Sequence, residues 1–139
     1  MTSAPPPRTG LHHLELWTAD LAVAAPAWDW LMTSLGWAPE RVEGWELGRI
    51  WRHRDDSYLV LEQSDDVQGA SSERRRPGMN HLALRVADRG ALDAIRAEAA
   101  RHGWHELFAD RYPHAGGEDH VAWYAEDPHG IEVELVAVG

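Results

Sequence analysis

A chain of 139 residues has room for one compact domain, or for two small modules sharing a core, and 44% hydrophobic with 26% charged residues suits a soluble globular protein. Its 13 Lys+Arg against 23 Asp+Glu leave a formal net charge of -10, the wrong sign for holding nucleic acid or anionic lipid, and no apolar run reaches the roughly 20 residues of a membrane span. With no cysteine, disulfides, thiolate metal sites and cysteine nucleophiles are excluded.

Residues 1–10, MTSAPPPRTG, lack the apolar stretch of a secretory signal and read as a flexible tail on a cytoplasmic protein. The first strand begins at His13: Leu14 and Leu16 point one way, and His13, Glu15 and Trp17 the other. Asp20 is an N-cap for an Ala-rich helix that Pro26 interrupts, so the helix is expected to start near Pro26 and run through Trp28 to Leu35, before Gly36-Trp37. WELGRIWRH and DSYLVLEQ alternate as strands around a turn at Arg54-Asp55-Asp56. Residues 64–79 form a polar linker, and its run Arg74, Arg75, Arg76 reads as solvated.

After the linker the chain repeats itself. His81-Leu-Ala-Leu-Arg-Val-Ala-Asp88 matches His13-Leu-Glu-Leu-Trp-Thr-Ala-Asp20 at five of eight positions, and Gly103-Trp104 answers Gly36-Trp37 with one residue of slippage. Asp88 caps a second helix over Arg89 to His102, and DHVAWYAE and GIEVELVAV flank the turn Asp127-Pro128-His129-Gly130. The prediction is an α+β fold of two paired βαβββ modules, residues 11–63 and 80–138, forming a curved mixed sheet with a central cleft.

The repeat carries chemistry with it. His13 and His81 open equivalent strands, and each module ends in a strand bearing a glutamate, Glu62 or Glu134. Two imidazoles and two carboxylates suit a divalent ion, Zn, Ni, Co, Mn or Fe, and leave two octahedral positions open to substrate. Glu15, Trp17, Tyr58 and Arg85 share the predicted cleft side; Arg85 is placed to meet an anionic substrate group or Glu15, and the aromatics to stack on something flat. Trp28 and Trp30 lie on different faces of the first helix, which leaves one of them for a dimer contact. His120 reads as a solvent-exposed loop histidine, or alternatively as a proton shuttle.

HHLELWTADL, YLVLEQ, NHLALRVAD and YAEDPHGIEVELV together resemble the vicinal oxygen chelate superfamily of glyoxalase I, extradiol dioxygenases and bleomycin-binding proteins, over residues 11 to 137. The resemblance to glyoxalase I implies a metal held by His13, Glu62, His81 and Glu134, with Glu62 or Glu134 moving the proton. It implies a homodimer and a small-molecule substrate whose vicinal oxygens are chelated and whose enediolate is stabilised, a lyase or isomerase reaction. Gln63, next to Glu62, takes over its position if the strand slips by one residue. Two alternatives stand beside it: a non-haem iron dioxygenase using His13, His81 and Glu134 with Tyr124 nearby, and a metal-free antibiotic-binding protein whose tryptophans grip a flat ligand.

Overall fold

A computed structural model describes residues 3–138. Residues 1 and 2 of the expected tail lie outside the described residues; residues 3–10 form no helix or strand, and Arg8 pairs with Asp56 at 2.9 Å. The first module runs β1 (His13–Trp17), α1 (Leu21–Ser34), β2 (Ala38–Glu40), β3 (Gly48–Arg52) and β4 (Tyr58–Glu62). The second repeats it as β5 (Leu82–Val86), α2 (Arg89–Ala99), β6 (His105–Leu107), β7 (Ala122–Glu126) and β8 (Glu132–Ala137).

Each module builds a four-stranded mixed sheet of the same order, β1-β4-β3-β2 and β5-β8-β7-β6, with the first and last strands parallel and the rest antiparallel. The expected α+β architecture of paired βαβββ modules is therefore present, as two sheets. The second strand of each module, left unplaced by the sequence, is the short β2 or β6 directly after the Gly-Trp pair. Gly103 closes the 3-10 turn Ala100–His102 that follows α2, with φ 89°, and a Cβ there would be crowded by Pro128 at 3.3 Å and Ala27 at 3.4 Å, which favours glycine.

Helix α1 does not wait for Pro26. It starts at Leu21 because Asp20 Oδ1 accepts from the Val23 N–H and Gln63 Oε1 accepts from the Leu21 N–H at 2.8 Å, which anchors the turn before the proline. Only the Ala22 carbonyl then loses its helical donor. Asp20→Ala is expected to remove about 1 kcal/mol and lower the melting temperature by about 3–5 °C, read by calorimetry.

One core joins both modules. Trp28 is fully buried, its ring 5.0 Å from Trp104 in an edge contact, and its Nε1 donates to Asp127 Oδ2 at 2.9 Å in the turn between β7 and β8. Trp104 Nε1 returns a bond to the Ala27 carbonyl. Trp30, the residue left for a dimer contact, stacks on His102 within the chain, ring centroids 4.4 Å apart. The helices cover one face of each sheet, so the other carries His13, Glu15 and Trp17, all exposed, and in the second module His81, Ala83 and Arg85.

Candidate functional site

On this open face the second module gathers a compact polar cluster. His81 stands just before β5 and Glu134 in the middle of β8, where Ala83 is its Cα partner. His81 Nδ1 lies 2.7 Å from Asn80 Oδ1, and Asn80 Nδ2 donates to the Arg74 carbonyl at 3.0 Å, which turns the amide oxygen toward the ring. Assigned from this network, the imidazole hydrogen sits on Nδ1 and the lone pair on Nε2. That lone pair faces Glu134 Oε1 at 2.9 Å. Two acceptors so close repel unless a cation accompanies them, a second proton on the ring or a metal ion.

The spacing fits either cation, since 2.9 Å is also an ordinary N–H···O length. Two adjacent donors on an octahedral ion with bonds of about 2.1 Å stand about 3 Å apart. The second oxygen of Glu134 is already engaged: Tyr124 OH donates to Oε2 at 3.0 Å, and His120 Nε2 donates to the same oxygen. Burial alone pushes the Glu134 carboxyl up, but the bonds from His120 and Tyr124 outweigh it and hold the group below its ordinary range. Tyr124, half-buried and bonded to this carboxylate, is pushed up to about 12. Neighbouring Glu132, only 3% exposed, is raised by burial and only partly relieved by Arg74 at 3.4 Å.

The first module presents a different surface. His13 stacks flat on Tyr58, centroids 4.8 Å apart and planes 4° apart, and its Nδ1 meets His12 Nδ1 at 2.9 Å. Glu62 lies at the far end of the sheet: His13 pairs with Tyr58 but Glu62 with Trp17, four positions or roughly 13 Å along the strand. Its carboxyl is raised by burial and by a hydrogen bond with Glu15, against a bond from Trp45 that lowers it. Glu15 also accepts from Trp17 Nε1 at 2.6 Å, so it is not paired with Arg85.

Register explains why the glutamates do not correspond. Leu14 pairs with Leu59 as Leu82 pairs with Val133, so the residue equivalent to Glu134 is Val60, and Glu62 is equivalent to Val136. Counting from each histidine across loops of unequal length displaces the match by one pleat. Gln63, the other residue considered, is engaged at the α1 N-terminus. Within one chain the four expected ligands thus separate into a His81–Glu134 pair and two isolated residues. Among the described residues, no group of three or more His, Asp or Glu gathers to hold a metal ion, since His81 and His120 occupy different oxygens of Glu134.

His120 is the neighbour of Glu134 that sequence reading set among the loops, with a proton shuttle as the alternative. The β7–β8 register, which pairs Tyr124 with Glu134, carries every second residue back along β7 toward His120 on the same face, and that parity was the available signal. Arg85 is exposed and, among the described residues, its side chain makes no hydrogen bond or ion pair. A cavity of about 470 Å³ lies elsewhere, between α1 and the β2–β3 hairpin, and none of the expected site residues lines it.

A family model for the Glyoxalase/Bleomycin resistance protein/Dioxygenase superfamily matches residues 12–124. The chain belongs to that superfamily. Among proteins of this superfamily fold, a Bacillus halodurans structure described as a candidate glyoxalase shares 37% identity, covers 92% of this chain and 95% of its own, and superposes with a TM-score of 0.84. The uncharacterized protein YqjT of Bacillus subtilis is 35% identical over 128 residues, 91% of this chain and 98% of that one. A Listeria monocytogenes fosfomycin resistance protein, solved with Mn(II) and a dihydroxypropylphosphonic acid, shares the superfamily fold at 16% identity and a TM-score of 0.63, covering 93% of this chain and 90% of its own. No helix among the described residues is long and apolar enough to cross a membrane.

Proposed function

We propose that this protein is a divalent-metal-dependent enzyme, in which His81 and Glu134 hold an ion that chelates neighbouring oxygens of a small substrate. The observation that carries the proposal is His81 Nε2 facing Glu134 Oε1 at 2.9 Å, with Asn80 Oδ1 2.7 Å from the other ring nitrogen. When bound, the ion supplies Lewis-acid polarisation of the substrate oxygens. His81 and Glu134 are oriented by Asn80, His120 and Tyr124, as metal ligands commonly are by outer partners. His13, at the position that His81 holds in the second module, is the third ligand, supplied when open faces meet. The Mn(II) and the diol of the Listeria relative fit an ion of the Mn, Fe, Co, Ni or Zn group and a substrate with adjacent oxygens.

The reaction we favour is of lyase or isomerase type, with Glu62 moving the proton rather than binding metal, since its carboxyl is held above the ordinary range. Glu62→Gln is then expected to keep divalent-ion affinity within about threefold and to slow proton exchange at least about 100-fold. Deuterium exchange into hydroxyacetone, followed by NMR, reads the second effect. Elemental analysis of protein purified without an affinity tag tests the first claim: no metal, and none taken up on titration, leaves only a binding protein.

Val60, in place of a first-module acid, favours one competing reading, a dioxygenase using His13, His81 and Glu134 as a two-histidine, one-carboxylate set. Oxygen uptake on catechols by the iron-loaded protein, without proton exchange, would establish it. For either chemistry we infer a homodimer that covers the open faces, where Trp17 is 45% exposed. Sedimentation at twice the chain mass is the expected result.

A further inference from the structure

We propose that His120 is a positioning residue that, together with Tyr124, occupies Oε2 of Glu134 and so presents the carboxylate to a metal ion through Oε1 alone. The inference rests on the metal-dependent reading above.

A free glutamate can meet an ion through one oxygen or through both, and the two modes place the ion differently. Here the choice is made by the chain. Two donors, His120 Nε2–H and Tyr124 O–H, converge on Oε2, while Oε1 alone faces His81 Nε2. A metal seated against both oxygens would have to break both bonds. One seated between Oε1 and His81 Nε2 leaves them intact.

The His120 ring is held for this task. Gly116 packs so tightly that a Cβ there would lie 2.6 Å from His120 Cδ2 and 2.6 Å from Tyr124 Oη, and the loop is tied down by His120 N–H to the Gly117 carbonyl and Ala122 N–H to the Pro113 carbonyl. The duplication supplies a control within the molecule. Ile50 pairs with Val60 in the first sheet as Tyr124 pairs with Glu134 in the second, and the position equivalent to His120 is Glu46. Where the carboxylate is absent, its donors are absent too.

His120 is therefore not a ligand itself, because its Nε2–H points at the carboxylate. The test is Mn(II) and Co(II) affinity, measured by competition with a chromogenic chelator on the full chain, with pulsed EPR counting imidazole nitrogens on the Mn(II). His120→Ala is expected to weaken binding about 10- to 100-fold with the imidazole count unchanged. His120→Gln, whose amide can still donate to Oε2, is expected to stay within about threefold of wild type. His120→Leu keeps the bulk without the donor and repeats the measurement if the alanine variant does not fold. Wild-type affinity in both His120→Ala and His120→Leu, equal losses in His120→Gln, or a drop of one imidazole in the EPR count each overturns the proposal and leaves the metal reading standing. A wild-type chain that binds neither ion overturns both.

Discussion

Glu134→Gln is expected to abolish divalent-ion binding, by about 100-fold or more, without unfolding the protein. The substitution is close to isosteric, and the site accepts it in one orientation. The amide oxygen takes the Oε2 position and accepts from Tyr124 and His120, while the amide N–H₂ takes the Oε1 position and donates to the Nε2 lone pair of His81. Every polar atom of the cluster then has a partner with no cation present. Metal-free Glu134→Gln should remain folded at neutral pH, while titration calorimetry with Mn(II) shows no saturable heat. A variant that binds as wild type does would remove Glu134 from the ligand set.

Acid separates the two proteins as well. The carboxyl of Glu134 is held below its ordinary value of 4.5, so its contribution to stability is present above that value and lost as pH falls through the lowered one. Melting temperatures between about pH 6 and pH 3 should fall less steeply for Glu134→Gln than for wild type.

Trp28→Ala is expected to cost about 3–5 kcal/mol, a large part of the roughly 5–15 kcal/mol that holds a domain of this size together. Trp28 is fully buried against Trp104, so truncation opens a cavity at the seam between modules. It also strips Asp127, which is 3% exposed, of one donor; the other two are the backbone N–H groups of His129 and Ile131. Trp28→Phe separates the terms: it keeps most of the packing and loses the bond to a buried carboxylate, for about 1–3 kcal/mol. Chemical denaturation of the pair reads both values, and a Trp28→Phe variant as stable as wild type would mean that the indole N–H contributes nothing.

The fold was legible because duplication writes the same periodicity twice. The alternation of Leu14 and Leu16, then of Leu82 and Leu84, and the paired caps Asp20 and Asp88 are local signals, and they survive into the structure. The start of α1 was misjudged because a proline's cost was weighed without Gln63, a residue 42 positions away that secures the first turn. The site was half legible. His81 and Glu134 meet, but Glu62 was counted along the chain, whereas strands are matched across hydrogen bonds; Val60 holds the equivalent place. His120 was read as a loop histidine, with a proton shuttle as the alternative, because strand parity was not carried back from Tyr124; the hairpin that pairs Tyr124 with Glu134 places it.

The joint between Trp28 and Asp127 makes the two halves of this duplicated chain unable to stand in for each other. By the repeat, the counterpart of Trp28 in the second module is Arg96, and by strand register the counterpart of Asp127 in the first is His53. An indole and a carboxylate that lock in one direction have no mirror contact. Two copies of the first half would offer the key without the lock, and two copies of the second the lock without the key. What began as a repetition has become a pair of complementary parts, so fragments divided in the linker should recover the native melting transition only when both are mixed.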